Sequence, residues 1–501
     1  MFNFKYATAL ILVLSGMSFT AHSVNVEIYQ TTRAGDRLKK IEAIQERVAD
    51  IDVALLLHPA ETFQIVVGIG SSFTESSAAV WSELSEKKQK ELLDIYFSQE
   101  GAWISLTRTH IASCDFSLRN YTYAAAPDDI TLEHFTIEPD RTYLLPFIKA
   151  AQAVENASFK IVGSPWTAPP WMKTNNDWNG GELKRSCYPV FAKYISKYIE
   201  AYAAEEVPIW GVTPVNEPLG NNSSWESVHF NAEEMRDYIM NHLGPRLKKD
   251  HPQVGIWMYD QNREEEMMEW AHTIYGDSVA ADYVRGTAVH WYQSTIDVGG
   301  VYLDELQEKY PHKEILHSEG CIDMIGNDEP IGDWLEDDWY WRAEATDWGY
   351  YWAQEADKKN HPKYRPFYRY TRDLIEGFNH HLVGWIDWNM LLNFRGGPNH
   401  ARNFCLAPIL VDSGNDTYYV TPLYYSIAHV SKFVRPGAKR IGLSGADQDI
   451  WCVAFENADT SLVLVLFNSR NESVAYSVEV GERSFCTTVP AESLHTVVIR
   501  R

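Results

Sequence analysis

The feature that most constrains this chain is an alternation: short apolar runs of strand character recur eight times, with longer amphipathic stretches between them. The runs occupy residues 63–70, 104–111, 159–166, 209–215, 254–259, 286–292, 314–319 and 382–388. Between them the spacing predicts helices. Over residues 188–206, Phe191, Tyr194, Ile195, Tyr198 and Tyr202 fall on one helical face, and residues 87–97 and 232–247 read in the same way. Strands separated by helices pair in parallel. Eight such units predict an α/β fold, a (β/α)8 TIM barrel with loop insertions, over residues 61–429. An open doubly wound sheet is the alternative that the alternation alone leaves standing.

The two ends of the chain follow another pattern. Residues 24–60 and 430–501 hold short β-type runs such as 461–467, 487–489 and 495–499, which predict an antiparallel sheet with strands from both termini in one small β domain. The first 23 residues carry the marks of an export signal: Lys5, an apolar stretch over 7–19, and small residues Ala21 and Ser23 before a cleavage site. The expected mature chain starts near Val24 and is exported through the secretory pathway, to the medium, a periplasm or a lysosome-like compartment. An uncleaved anchor is the alternative, although the stretch is short for a membrane span.

With 44 Lys and Arg against 68 Asp and Glu, the net charge of −24 repels phosphate backbones and excludes nucleic acid as a partner. None of the six cysteines (114, 187, 321, 405, 452 and 486) has zinc-site spacing, so no metal is expected from them. Cys452 and Cys486 could bridge two C-terminal strands or remain two buried thiols.

Chemistry in such barrels sits at the C-terminal ends of the strands. The fourth run ends in Thr213-Pro214-Val215-Asn216-Glu217-Pro218 and the seventh in Leu316-His317-Ser318-Glu319-Gly320. Each therefore puts a glutamate at a strand tip, aimed into one cavity. Paired carboxylates there are the machinery of glycoside hydrolysis, one protonating the leaving oxygen while the other attacks the anomeric carbon. A lone glutamate in such a place would more often be a loop cap. Two at matched positions, one inside Asn-Glu-Pro, reverse that weighting.

Several longer motifs surround the pair. They are Arg108 followed by Ala112-Ser113-Cys114-Asp115-Phe116-Ser117, then Tyr121-Thr122-Tyr123-Ala124 and Pro127-Asp128-Asp129. Ser164-Pro165-Trp166-Thr167-Ala168-Pro169-Pro170-Trp171-Met172-Lys173-Thr174-Asn175 and Ala288-Val289-His290-Trp291-Tyr292 come next. Gly384-Trp385-Ile386-Asp387-Trp388-Asn389, Gly396-Gly397-Pro398-Asn399 and Arg402-Asn403-Phe404 close the set. In this ordered set the chain resembles glycoside hydrolase family 30, most closely its glucosylceramidase (glucocerebrosidase) branch, from about Gly68 to the C-terminus.

The resemblance implies a TIM barrel with an accessory β-sandwich built from both termini, and no cofactor. It implies Glu217 as general acid/base and Glu319 as nucleophile in a retaining double displacement, with the carboxyls about 5–5.5 Å apart. Asn216 matches the residue that bonds the sugar 2-hydroxyl, and Tyr292 a tyrosine that could orient the nucleophile. Arg108 could keep Glu319 charged or could pair with a structural acid. Asp115, Trp166, Trp388 and Asn399 match residues that contact the non-reducing glucose, while Phe116, Trp291 and Cys321 fall at the rim or one layer behind.

The chain departs from the branch in two places: the loop 219–230, and an acidic, tryptophan-rich insertion between residues 322 and 345. Both are expected to overhang the leaving-group side, the second either as a rim loop or as a solvated acidic insertion. The expected function is hydrolysis of glucosylceramide to glucose and ceramide. The partner is then a β-glucosyl lipid or oligosaccharide, and a lipid substrate brings peripheral contact with a lipid surface. The alternatives are an endo-β-1,6-glucanase or another β-glycosidase of the family, and, from a different class, a carbohydrate-binding barrel without turnover.

Overall fold

The computed structural model describes residues 25–42, 50–221, 224–324, 332–343 and 353–500. The export-signal reading of residues 1–23 lies outside them, as do residues 325–331 and 344–345 of the acidic insertion.

Three strands precede the barrel: β1 (Asn25–Thr32), β2 (Lys39–Ile41) and β3 (Val53–Ile65). The barrel strands are β4 (Gly68–Phe73), β5 (Leu106–Ile111), β6 (Lys160–Pro165), β7 (Gly211–Val212), β8 (Gly255–Asn262), β9 (Val284–His290) and β10 (Glu314–Glu319). After β11 (Ile322–Met324), which leaves the tip of β10, β12 (Leu382–Asn389) completes the ring. The order β10-β12-β4-β5-β6-β7-β8-β9 closes a parallel barrel, the architecture the alternation predicts.

Two of the eight strands share three residues or fewer with their predicted extent. Residues 63–65 belong to β3, a 13-residue strand of the second sheet, so the first barrel strand begins only at Gly68. The boundary expected at residues 60 and 61 thus cuts through β3. Glycine is required in the new strand: a Cβ on Gly70 would lie 2.0 Å from the Leu106 carbonyl oxygen. The fourth strand shrinks to Gly211–Val212, because Pro208 and Pro214 cannot donate to a ladder. Trp210 and Thr213 still donate to Ile161 and Gly163, which keeps the chain on the strand path up to Asn216.

The helix over Tyr188–Ala204 buries Phe191, Tyr194, Ile195, Tyr198 and Tyr202, as its period predicts. The predicted helix 232–247 is instead broken into Ala232–Tyr238, a π-type turn over Ile239–Leu243, and Gly244–Asp250. Pro245 has no N–H to donate and its ring crowds the preceding turn, so the helix passes it only by widening.

Inside the barrel the residues separate by height. An apolar plug of Leu106, Val162, Trp257, Ala288, Leu316 and Ile386 fills the lower end. Above it the inward positions turn polar: Ser71, Arg108, Ser164, Thr213, Asp260 and Ser318 are all buried. That change of composition is what makes one end of the barrel a site.

The chain then continues through β13 (Leu391–Asn393), β14 (Phe404–Leu406), β15 (Ile409–Asp412) and β16 (Thr417–Val420). The C-terminal strands are β17 (Lys439–Ser444), β18 (Ile450–Glu456), β19 (Leu462–Asn468), β20 (Val474–Val480), β21 (Arg483–Val489) and β22 (Ser493–Arg500). With β1–β3 they form one nine-stranded sheet that builds the β-sandwich, and β1 and β22 pair antiparallel from Asn25↔Arg500 to Thr32↔Ser493. β19 is apolar without interruption because both of its faces are covered. Leu462, Leu464 and Leu466 enter the sandwich's own core, while Val463, Val465 and Phe467 join the core shared with the barrel. At about 1.5–3 kcal/mol for each fully buried side chain, that second face ties the two domains together. Cys452 is a buried free thiol, so it forms no bridge to Cys486.

The described part of the acidic insertion corrects the expectation of a rim loop or a solvated loop. Trp334, Trp339 and Trp341 are buried; Trp341 stacks on Phe367 and donates through its indole N–H to the Glu492 carbonyl. Asp337 pairs with Arg37 and Asp338 with Arg33, both from the turn between β1 and β2. Residues 334–342 therefore fill the seam between barrel and sandwich. Their tryptophans need burial and their acids find arginines there.

Candidate active site

Three strand tips carry a bulge on the catalytic face. Register shifts interrupt β8 between Tyr259 and Gln261, β10 between His317 and Glu319, and β12 between Asp387 and Asn389. A bulge re-aims the side chain it carries, and these three present Asp260, Ser318 and Trp388 to the barrel axis. Tyr259 and Asp260 have φ of 75° and 57°, the left-handed region that side chains with a Cβ avoid at a cost of roughly 1–2 kcal/mol each. Glu217 shares it, with φ of 47°, and its N–H donates to the Asp260 carbonyl at 3.0 Å. Such strain collects where function needs a fixed side chain.

The glutamates face each other. One carboxylate oxygen of Glu217, one of Glu319 and a ring nitrogen of His290 all lie within 4.8 Å of one another. His290 Nδ1 is 3.4 Å from Glu217 and 3.9 Å from Glu319, is buried, and has no well-formed hydrogen bond. Its Nε2 lies 3.0 Å from Asp260.

Arg108 organises the rest. It is fully buried and donates to Glu319 Oε2 at 2.5 Å, to Asp260 Oδ2 at 2.8 Å, to Asn216 Oδ1 at 2.7 Å and to Ser164 at 3.0 Å. Both pairings considered for Arg108 are present at once: it donates to Glu319 and to the buried Asp260. Holding Asn216 by its oxygen leaves the amide nitrogen as the end that can donate to a sugar hydroxyl. Tyr292 donates to Glu319 Oε1 at 3.0 Å. Trp166 and Trp388 stack on each other with centroids 5.1 Å apart, and the Arg108 guanidinium lies over both, 4.7 and 5.6 Å away. They make one aromatic wall.

Asp115 is buried; Oδ2 accepts from Asn403 at 2.9 Å, whereas Oδ1 is buried without a partner. Asn399 is turned back on its own loop, donating to the Asn403 carbonyl at 2.6 Å and accepting the Asn403 N–H at 3.0 Å. Asn403, which sequence reasoning gave no role, is the side chain that meets Asp115. Glu226, from the departing loop, is fully buried and accepts from Asn120 at 2.7 Å, with His400 3.3 Å away. That carboxylate ties together the loops after the second, fourth and eighth strands.

The charges have physical causes. Burial raises Asp260, but Arg108 and then His290 overcome it and hold the carboxyl well below the ordinary range. Burial lowers His290, yet the Glu319 charge and the hydrogen bond to Asp260 push it up to about 9. Burial lifts Glu319, with His290 and Arg108 pulling it down and Glu217 adding to the rise. Burial and the Glu319 charge likewise lift Asp115 well above the usual carboxylate range. Arg108 and His290 thus lie against both the Asp260 and the Glu319 carboxyls. Glu319 accepts from two donors, which favour its anionic form. Glu217, Glu319 and His290 are close enough to hold a metal, but Arg108 and Tyr292 already occupy the two oxygens of Glu319. The arrangement is suited to proton and glycosyl transfer.

Asp260, His290 and Glu226 were assigned no role from sequence. His290 lay within a quoted motif, and Asp260 opens a polar run, Asp260-Gln261-Asn262, at a strand tip. That was the available signal.

Comparison with known proteins gives the same frame. The Glycosyl hydrolase family 30 TIM-barrel domain matches residues 66–343 and 339–434, and the family's beta sandwich domain matches 437–497. The chain is 34% identical to the lysosomal acid glucosylceramidase of Mus musculus over 94% of this chain and 88% of that protein. Its structure is similar to that of SrfJ from Salmonella typhimurium, with a TM-score of 0.82 and 29% identity over 95% of this chain and 99% of the other. The endo-β1,6-glucanase BT3312 follows at 0.80 and 28%, over 94% and 98%.

Proposed function

The chain belongs to glycosyl hydrolase family 30 and is a glycosidase, and from that premise we propose that it hydrolyses glucosylceramide to glucose and ceramide with retention at the anomeric carbon. The observation that carries the retaining reading is the separation of the catalytic pair, within 4.8 Å between carboxylate oxygens. Retaining enzymes place their carboxyls about 5–5.5 Å apart and inverting enzymes about 6.5–9.5 Å apart, so this close approach supports the retaining reading.

In the first step Glu319 attacks C1 from below while Glu217 gives its proton to the glycosidic oxygen, and ceramide departs. Asn216 donates to the 2-hydroxyl, a bond that tightens as the ring flattens. Asp115, with an unmet acceptor, takes a distal hydroxyl, and the Trp166–Trp388 wall packs against the apolar side of the ring. In the second step Glu217, now ionised, takes a proton from water as it attacks C1 and frees Glu319. A lipid substrate brings the enzyme to a lipid surface.

A second reading has its own support: the likeness to an endo-β1,6-glucanase extends over 98% of that chain. Both readings share the chemistry and differ in the acceptor. Assays in parallel on glucosylceramide in detergent micelles and on a linear β-1,6-glucan separate them. Release of ceramide with no glucan turnover is the expected result, and glucan turnover alone contradicts it. We further propose that residues 1–23 direct export and are removed near Val24. N-terminal sequencing of the exported protein checks this, and an N-terminus at Met1 contradicts it.

A further inference from the structure

Behind the nucleophile lie two side chains that hydrolysis does not use. β11 leaves the tip of β10 and pairs antiparallel with β14, setting Ile322 opposite Leu406 and Asp323 opposite Cys405. Continuing that register by one residue makes Cys321 and Cys405 diagonal neighbours on one face of the ribbon. Their sulfurs are 3.4 Å apart, and both residues are buried. Cys321 Sγ also lies 3.4 Å from the Tyr292 hydroxyl, the group that donates to Glu319. A thiol pair, a phenol and the nucleophile thus form one continuous chain of contacts.

We propose that Cys321 and Cys405 are an oxidation site, a dithiol that a small peroxide converts to a disulfide, and that this closure changes the setting of the nucleophile through Tyr292. Cys321 reacts first, because it keeps a trace of exposure and touches the partly accessible Tyr292, whereas Cys405 is fully enclosed. Its sulfur attacks one peroxide oxygen and the O–O bond breaks; the thiol proton and the departing hydroxide leave as water, and a sulfenic acid remains. The Cys405 sulfur then attacks the sulfenic sulfur, its S–O bond breaks, and a second water departs with the Cys405 proton. Two electrons pass from the thiols to the peroxide. Bonding draws the sulfurs together by roughly 1.4 Å, which shifts the sulfur that Tyr292 touches. The disulfide also staples the loop after the seventh strand to the loop after the eighth, at the root of the acidic insertion.

The test uses the full-length protein with hydrogen peroxide as the probe. Digestion without reduction, followed by mass spectrometry, reads the linkage, and turnover of an aryl β-glucoside reads the coupling. The expected result is a Cys321–Cys405 cross-linked peptide lighter by two hydrogens. With it, kcat should fall about tenfold at nearly constant KM, within the cost of an ångström of misplacement, and dithiothreitol should restore it. Cys405→Val should keep the unoxidised kcat, form no cross-link and lose the reversible response, with Cys405→Ser as a second variant if valine disturbs the strand. Absence of the cross-linked peptide overturns the proposal, and so does a cross-link that leaves kcat unchanged. The peptide is identified by mass alone, so the linkage stands or falls independently of the proposed substrate, while the kcat readout rests on Glu319 acting as nucleophile.

Discussion

The two sides of the active site are built differently. The side that we propose holds the glucose rests on strand tips: Arg108, Asp260, Asn216 and Trp166 are buried, joined by hydrogen bonds and ring contacts, and anchored in a closed barrel. The leaving-group side is made of loops. Glu217 faces it with 15% of its side chain exposed, against 8% for Glu319, and the loop after Glu217 is held through the buried Glu226. A bond-breaking centre needs fractions of an ångström, which only the sheet supplies, whereas loops can change their acceptor without moving the sheet. The sheet therefore fixes the position of the glutamate pair, and the loops are free to differ around it.

Substitutions should reproduce this division, and the largest effect belongs to the buried side. Glu319→Ala removes the attacking group, and turnover of an aryl β-glucoside should fall by about 10⁴- to 10⁶-fold. Azide should rescue it, giving the α-glucosyl azide, because a small anion enters the vacated space. Unaltered activity would place the nucleophile elsewhere. Glu217→Ala should cost about 10²- to 10⁴-fold. That loss should be greatest where the departing group most needs a proton, so an alkyl β-glucoside should suffer more than a nitrophenyl one. Equal losses for both would contradict its role as the acid.

The His290 charge gives an intermediate effect with a defined sign. Its folded pKa of about 9 lies above the ordinary value of 6.5, so its contribution to stability is complete below about 6.5 and lost as pH rises through about 9. The melting temperature should decline over that window, by the equivalent of about 3 kcal/mol in unfolding free energy. His290→Asn should be less stable than the wild type at pH 6 and should lack this decline. A wild-type curve that is flat between pH 6.5 and 9 would contradict the buried cation.

The smallest effect belongs to the loops. Glu226→Gln keeps the shape and the bond to Asn120 but removes the charge opposite His400. It should raise KM by about 2- to 10-fold, the equivalent of about 0.4–1.4 kcal/mol of binding, with kcat near the wild-type value. A larger fall in kcat than in apparent affinity would make that loop part of the catalytic centre.

The same division decides what could be read in the sequence. The barrel was legible because eight apolar runs alternate with amphipathic stretches, and Glu217 and Glu319 were legible because each follows such a run at its C-terminal tip. Asp260 was not, because a bulge changes the alternation that sequence reading relies on, and nothing local announces a bulge in Tyr259-Asp260-Gln261. His290 lay in a quoted motif, but its importance arises from three carboxylates on three other strands. The insertion was misread for a related reason: its acids pair with Arg33 and Arg37, some 300 residues away, and its tryptophans fill a seam that exists only once both domains have formed. Long-range pairing of this kind leaves no trace in spacing.

The central claim is that Glu319 attacks the sugar directly, with Glu217 placed at the spacing that a retaining pair needs. Proton NMR of the glucose first released from an aryl β-glucoside, recorded before the anomers equilibrate, reads this without further assumption. The β-anomer is predicted, and the α-anomer as first product would contradict the account.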